Sequence, residues 1–340
     1  MERRSRLVTT TAITAVLALL VAVVLATSGH GSRGMDRTLG IEPAGQDRAT
    51  VRTTTISGQE FDYCGNGSIR SPRPTQTRLV VIVHGLGGDA CDLADATMSV
   101  AGPDTLVVAP RFLTRTPGSH HSWPQDAWAQ GDQSRTAGSA SPSGRLSGEL
   151  AGVSSFSIVD ELIADARAAL ANTIGADPEV VVAGFSAGGQ FVNRYAATSP
   201  TSVDAYLVAS PSSYLWFNKD RPAGSKRCRG VDDYRYGLQH RNAYASRLSV
   251  EEIKQRYASR TITYLVGSAD DRRNSNGLDR SCAALAQGTN REQRATNYYH
   301  ALEDFFGPEI YQRQHFDLVP GVAHHGPKML ISDQAAAVLG

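Results

Sequence analysis

The stretch that decides the fold is Val180-Val181-Val182-Ala183-Gly184-Phe185-Ser186-Ala187-Gly188. Its apolar first half is typical of a buried β-strand, and a helix-like stretch follows its last glycine. A strand that ends in Gly-x-Ser-x-Gly and passes into a helix indicates a nucleophile elbow, a strained turn that presents a serine hydroxyl at the carboxyl edge of a sheet. Because the chain holds 32 glycines, the pentapeptide can also arise by chance. Its place between strand and helix makes Ser186 the candidate nucleophile.

Short apolar runs alternate with amphipathic helical patterns through most of the chain. Apolar residues at helical spacing begin at Ile158 and again at Tyr298. A hairpin is indicated at residues 51–56 and 60–63. Because β and α elements alternate after this hairpin, we expect a mainly parallel, doubly wound sheet. The predicted strands are residues 79–83, 106–109, 180–183, 206–209, 262–266 and 316–319.

Two long stretches, residues 113–152 and 211–258, interrupt this alternation. Long segments without regular structure in a compact domain are usually functional or disordered. We interpret both stretches as insertions that shape a substrate cleft. His120 and His121, together with Trp123, either line this cleft or belong to an ordered surface loop.

Residues 1–28 have the composition of an export signal. Three arginines precede an uncharged stretch at residues 7–26, and Ala26-Thr27-Ser28 resembles a signal-peptidase site. The uncharged stretch is 20 residues long, which is enough to span a bilayer. A cleaved signal peptide and an N-terminal membrane anchor therefore both remain open, and the protein is expected to be secreted or membrane-anchored outside the cytoplasm. Residues 29–50 are polar and predict a flexible linker, which leaves residues 51–340 as the folded domain.

Charge and composition exclude some classes of partner. The hydrophobic content of 41% and the charged content of 20% are those of an ordinary globular protein. The net charge is +1, and residues 1–28 contribute +2 of it, which leaves −1 for the remainder. We therefore expect no basic surface for nucleic acid.

Four cysteines, Cys64, Cys91, Cys228 and Cys282, suit an oxidising compartment. They allow three pairings, and nearness in sequence favours Cys64 with Cys91 and Cys228 with Cys282. We expect no zinc site, because no Cys-x-x-Cys motif or close Cys/His spacing occurs.

A nucleophilic serine needs a general base, and the base needs an acid that orients it. The predicted strand at residues 262–266 is followed by Gly-Ser-Ala and then by Asp270 and Asp271. His324 and His325 lie in a loop after the last predicted strand. The chain thus places Ser186, a carboxylate pair and a histidine pair in the order serine, acid, base, each at the carboxyl end of a strand.

On these motifs, residues 51–340 resemble the α/β-hydrolase superfamily, and most of all its exported bacterial serine esterases. The resemblance implies an α/β-hydrolase fold, with helices on both faces of a mainly parallel, doubly wound sheet and loop insertions over the active site. In this family the acid commonly ends a Gly-x-x-Asp segment, which favours Asp270 over Asp271. A glycine and a small residue commonly precede the base, which favours His324 over His325. The second member of each pair is then a solvated loop residue.

The segment His84-Gly85-Leu86-Gly87-Gly88 follows the predicted strand at residues 79–83. In α/β-hydrolases, a His-Gly segment at this place contributes a backbone N–H to the oxyanion hole. The resemblance therefore implies that the N–H groups of Leu86 and Ala187 form this hole. His84 itself is expected to be structural and to hold the loop.

The implied function is that of an exported serine hydrolase that cleaves carboxylic esters through an acyl-enzyme, with Ser186, His324 and Asp270 as its triad. The substrate is a small-molecule or polymeric ester, and the reaction needs no cofactor or metal. Membrane anchoring through residues 7–26 is the alternative to secretion. An acyltransferase with the same triad and a non-catalytic binding protein on a hydrolase scaffold are the alternative functions.

Overall fold

The computed structural model describes residues 48–113, 121–135, 152–224 and 228–340. Its strands are β1 (Thr50–Ile56), β2 (Gln59–Gly65), β3 (Arg78–Val83), β4 (Thr105–Pro110), β5 (Glu179–Phe185), β6 (Ala205–Ala209), β7 (Ile262–Gly267) and β8 (Gln314–Val319). They form one sheet in the order β1-β2-β4-β3-β5-β6-β7-β8. The pairs β1–β2 and β2–β4 are antiparallel, and the other neighbouring pairs are parallel. The predicted strands and the hairpin are confirmed, each observed strand being up to two residues longer at an end.

Helices connect the parallel strands and cover both faces of the sheet. They are α1 (Ala90–Ala101), α2 (Ser155–Ile174), α3 (Ala187–Thr198), α4 (Val250–Ala258), α5 (Cys282–Gln287), α6 (Arg291–Phe306), α7 (Gly326–Leu330) and α8 (Asp333–Leu339). Short 3₁₀ turns lie at Ala127–Gln130, Ala245–Arg247 and Pro308–Gln312. The predicted doubly wound architecture is confirmed.

Side chains of each central strand alternate between two cores, one on either side of the sheet. On β3, Leu79, Val81 and Val83 face the larger core, which α2, α3, α4 and α6 complete. Val80 and Ile82 face the second core, which α1, α7 and α8 complete. Both faces of β3 are therefore buried, which is why the sequence of this strand is a continuous apolar run.

Large aromatic residues of the two insertions belong to the core of the protein. Trp123, Trp128, Trp216 and Phe217 are all buried in the larger core. Burying such large apolar surfaces stabilises the fold, and it anchors segments that have little regular structure of their own. The second insertion also contains α4, so it is less irregular than expected.

His121 is buried as well, so neither interpretation of His121 and Trp123 is correct. The His121 ring packs against Trp123 at a centroid distance of 6.2 Å and hydrogen-bonds the Ser134 hydroxyl through Nδ1 at 3.0 Å. His120 lies outside the described residues.

Both predicted disulfides, Cys64–Cys91 and Cys228–Cys282, are confirmed. The predicted signal peptide or anchor at residues 1–28 and most of the linker lie outside the described residues and stay predictions. Within the described residues, no helix combines the length and the apolar character needed to cross a membrane.

Candidate active site

Ser186 occupies the tight turn between β5 and α3. Its backbone has φ 58° and ψ −114°, a strained conformation for a residue that is not glycine. Two hydrogen bonds of 2.9 Å hold this turn: Ser186 N donates to Ala209 O on β6, and Gln190 N donates to Ser186 O. The turn therefore has the geometry of the predicted nucleophile elbow. Its strained backbone conformation is at Ser186, the residue whose hydroxyl projects from the turn.

The glycines of the motif are required by close backbone approach. A Cβ on Gly188 would lie 1.9 Å from Val83 O on β3, and a Cβ on Gly184 would lie 2.3 Å from Gly188 O. Real Cβ atoms do not approach other atoms so closely. Only glycine at both positions lets α3 start directly against β3 and β5.

Ser186, His324 and Asp270 form a continuous chain of hydrogen bonds. His324 Nε2 lies 2.9 Å from Ser186 Oγ, and His324 Nδ1 lies 2.7 Å from Asp270 Oδ2. Asp270 is buried in the turn after β7, and His324 is half-buried in the loop after β8. The Phe185 ring stacks on the imidazole at a centroid distance of 4.7 Å. Nδ1–H can thus donate to the carboxylate while Nε2 is free to accept the serine proton.

The two alternative residues, Asp271 and His325, are not part of this chain of hydrogen bonds. Asp271 is exposed. His325 is also exposed, and its Nδ1 accepts the N–H of Lys328 at 3.3 Å as the N-cap of α7. The structure therefore joins Asp270 and His324, not their neighbours, to Ser186.

Arg291 is a member of this site that the sequence analysis missed. Its Nη1 lies 3.4 Å from Asp270 Oδ1, and both side chains are buried. The guanidinium also donates to the Ser275 hydroxyl at 2.7 Å and to Asn276 O at 3.1 Å. Burial lowers the pKa of Arg291, and the nearby Asp270 carboxylate opposes this shift. Arg291 thus supplies Asp270 Oδ1 with a cationic partner, while Oδ2 accepts from the histidine.

The loop after β3 lies directly against the nucleophile. A Cβ on Gly85 would be 3.3 Å from Ser186 Cβ, and Gly88 N donates to Gly85 O at 3.1 Å to close a turn around Leu86. Leu86 and Ala187 line the same cleft as Ser186. Their proposed role as oxyanion-hole donors stays a prediction.

Solved structures match the chain over most of its length. Poly(aspartic acid) hydrolase-1 from Sphingomonas sp. KT-1 has a TM-score of 0.61 at 19% identity, over 86% of this chain and 99% of that one. The poly(3-hydroxybutyrate) depolymerase LpqC from Bordetella parapertussis has a TM-score of 0.58 at 23% identity, over 84% of this chain and 88% of that one. No family model and no curated protein sequence matches.

Both solved structures are at most 23% identical to this chain, and the likeness concerns the fold. The chain has the α/β-hydrolase fold. In this fold the residues at the carboxyl ends of β3, β5, β7 and β8 meet at one edge of the sheet. The hydrolase fold thus explains how four segments far apart in sequence come to share one site.

His84 holds the loop after β3 of the hydrolase fold, as expected. Its Nδ1–H donates to Gly85 O at 2.8 Å, and its Nε2 accepts the N–H of Phe112 at 3.1 Å. These partners assign the neutral imidazole. The ring is buried beside Trp128, at a centroid distance of 4.9 Å, and burial lowers the pKa of His84.

We expect acid to destabilise the folded protein through His84. Because its pKa is below the ordinary value of 6.5, the folded state binds this proton less readily than the unfolded chain does. The stabilisation by neutral His84 is complete above pH 6.5 and is lost as the pH falls below it, by up to about 1.4 kcal/mol per pH unit. Urea unfolding at about pH 7.5 and about pH 5 measures this loss.

His84→Gln, which does not titrate, should lose less stability between these two pH values than the wild-type protein. His315 is exposed, so His315→Gln should lose as much as the wild-type protein. An equal loss in wild type and His84→Gln would contradict the role of His84.

The cleft above Ser186 has a volume of ≈ 750 Å³ and partly polar walls. Arg235 Nη1 donates to Asp126 at 2.5 Å, and Arg235 Nη2 lies 3.7 Å from Asp279. Asp126 comes from the first insertion of the hydrolase fold, and Ser212 and Arg235 come from the second. Both insertions therefore contribute residues to the cleft, as predicted, although His121 and Trp123 do not line it.

Within the described ranges, one group of Cys, His, Asp and Glu side chains is close enough to hold a metal ion: Cys64, Asp89 and Cys91. The two sulfur atoms of this group are bonded to each other, so neither is the thiolate that a metal site requires.

Proposed function

We propose that this chain is an exported serine hydrolase that cleaves carboxylic esters through an acyl-enzyme. The observation that carries the proposal is the hydrogen-bonded chain from Ser186 through His324 to Asp270, of which Ser186 and His324 line a cleft. The solved structure of a poly(3-hydroxybutyrate) depolymerase supports an ester as substrate, and either a small or a polymeric ester fits the proposal.

Acylation begins at the Ser186 hydroxyl. Oγ attacks the carbonyl carbon of the ester while His324 Nε2 takes the hydroxyl proton. Asp270 accepts the hydrogen bond from Nδ1 and stabilises the imidazolium that forms. The negative charge that develops on the carbonyl oxygen is held by the N–H groups of Leu86 and Ala187. Each such donor lowers the barrier by about 3 kcal/mol when it is aimed at that oxygen.

The tetrahedral intermediate then collapses, and His324 returns its proton to the departing alcohol oxygen. The acyl group stays bonded to Ser186 Oγ. A water molecule repeats the sequence: His324 takes a water proton, the hydroxide attacks the acyl carbon, and Ser186 recovers its proton as the carboxylic acid leaves. The reaction consumes one ester and one water, and this chain's own side chains carry the proton throughout.

Export is the second part of the proposal. The two disulfides support an oxidising compartment, and the composition of residues 1–28 supports passage across a membrane. N-terminal sequencing of the protein recovered from culture medium and from membranes tests this part. A mature protein that begins after residue 28 indicates cleavage, and an intact chain in membranes indicates an anchor.

Rapid-mixing kinetics with p-nitrophenyl esters tests the chemistry. Acetate, butyrate, hexanoate and octanoate esters should be hydrolysed, and the chain-length profile reports the room for the acyl group. Where deacylation is slower than acylation, p-nitrophenol should appear in a burst of one equivalent per site, and mass spectrometry should find the acyl group on Ser186. Absence of hydrolysis with every ester would remove the esterase proposal and favour an acyltransferase or a binding protein.

A further inference from the structure

Gln190 lies one turn into α3, directly after the nucleophile. Its backbone N donates to Ser186 O, and its side chain lines the same cleft as Ser186 and His324. The acyl chain of a bound ester remains attached to Ser186 after the alcohol has left. An acyl chain that extends along this side of the cleft would pass the first turn of α3.

A hydrogen bond from the Ser212 backbone fixes the orientation of the Gln190 amide. Its Oε1 accepts the N–H of Ser212 at 3.1 Å. Ser212 is itself held at two points, because its hydroxyl donates to Gly277 O at 3.0 Å and its carbonyl accepts from the buried Arg294 guanidinium. Because the backbone N–H of Ser212 requires an acceptor, the oxygen of the Gln190 amide must face Ser212. The amide nitrogen is thereby turned away from Ser212.

The Nε2 group of Gln190 has no hydrogen-bond partner among the described residues. The residue is 5% exposed, and Nε2 is not one of the fully buried unpaired atoms, so this group is open to the cleft. An N–H donor that becomes covered without gaining a partner costs free energy. Arg235, on the same cleft wall, is already paired with Asp126 and Asp279. A hydrocarbon acyl chain that covers Gln190 would leave the Nε2–H donor without a partner. An acyl chain with an oxygen at that place would accept a hydrogen bond from it.

We infer that Gln190 is a specificity-determining residue whose side-chain N–H donates to an oxygen of the acyl chain, so that the cleft selects acyl groups that carry an ether, ester, keto or hydroxyl oxygen. This inference rests on the proposed ester hydrolysis. The geometry required is already present in the free protein, because the Ser212 hydrogen bond orients the donor before substrate binds.

Matched esters that differ by one atom test the inference. The pairs are p-nitrophenyl 3-methoxypropanoate with pentanoate, and 4-methoxybutanoate with hexanoate, in which an oxygen replaces one methylene. The measured quantity is the ratio of kcat/KM for the oxygen ester to kcat/KM for the hydrocarbon ester. This ratio cancels any loss that both esters share, including loss of folded protein.

Two substitutions separate the effect of the Nε2–H donor from that of the hydrogen bond between Gln190 Oε1 and Ser212 N. Gln190→Glu keeps an oxygen for Ser212 N but removes the N–H donor, and Gln190→Met removes both. We expect the ratio to fall by about three- to tenfold in both variants for at least one pair, the value of one hydrogen bond. Gln125 is an exposed amide that lines the same cleft, so Gln125→Glu controls for the added charge and should leave the ratio unchanged.

Two results would overturn the inference: a ratio that is the same in wild type and in both Gln190 variants, or an equal fall in Gln125→Glu. Wild-type protein that hydrolyses none of the four esters would overturn the proposed function as well. Hydrolysis with an unchanged ratio would overturn only the role of Gln190.

Discussion

Ser186→Ala is expected to lower kcat on p-nitrophenyl esters by about 10⁴- to 10⁶-fold, the range seen when a serine hydrolase loses its nucleophile. The variant keeps the cleft and the donors of Leu86 and Ala187, but it has no oxygen to form the acyl-enzyme. The p-nitrophenol burst and the acyl adduct should both disappear. Steady-state and rapid-mixing kinetics on one purified preparation measure all three effects.

The histidine pair gives this experiment a matched control. His324→Ala should lose activity to a similar extent, because the serine proton then has no acceptor at 2.9 Å. His325→Ala removes only the exposed N-cap of α7 and should retain most of the activity. Ser186→Ala combined with His324→Ala should be little worse than either alone, because the residues act as a unit. A Ser186→Ala protein with nearly wild-type kcat would refute the assignment of the nucleophile.

The second large effect is on stability. Gly188→Ala is expected to lower the free energy of unfolding by about 3 kcal/mol or more, which is at the upper end for overpacking. Its Cβ would meet Val83 O at 1.9 Å and His84 O at 2.8 Å. Both atoms are backbone, so relief of the clash requires β3 and the loop that carries Leu86 to move. Urea unfolding, followed by fluorescence, measures the loss.

Gly175→Ala is the matched control for this glycine. Gly175 caps α2 with φ +71°, and a Cβ there would meet no atom within 4 Å. Its substitution costs only the left-handed backbone conformation, about 1–2 kcal/mol. If Gly188→Ala were no less stable than Gly175→Ala, close backbone approach would not explain the second glycine of the motif.

The elements that the sequence predicted well share one property, which is that their signal is local. β3 and β5 are apolar on both faces, so each appears as an uninterrupted run. Ser186 directly follows β5, Asp270 lies three residues after β7, and His324 lies five residues after β8. The carboxyl ends of parallel strands meet at one edge of a sheet. Strand positions and candidate triad could therefore be predicted together, without knowledge of the tertiary contacts.

The features that could not be predicted from the sequence depend on contacts between distant segments. Arg291 meets Asp270, and Gln190 meets Ser212, only after the strands are placed side by side. No spacing or periodicity marks these pairs. The burial of Trp123 likewise follows from how the insertion packs on the sheet. By contrast α4 has a local signal, the Ser-x-x-Glu capping box at Ser249 and Glu252.

Each disulfide is attached to a different wall of the cleft. Cys91 lies in the first turn of α1, just after the loop that carries Leu86, and Cys282 lies three residues after Asp279. Protein made in a reducing cytosol would therefore contain the sheet without either covalent clamp. Disulfide formation should therefore be checked in every preparation. Low activity can result from a cleft whose disulfides have not formed, and this cause has to be excluded before the substrate is judged to be a poor one.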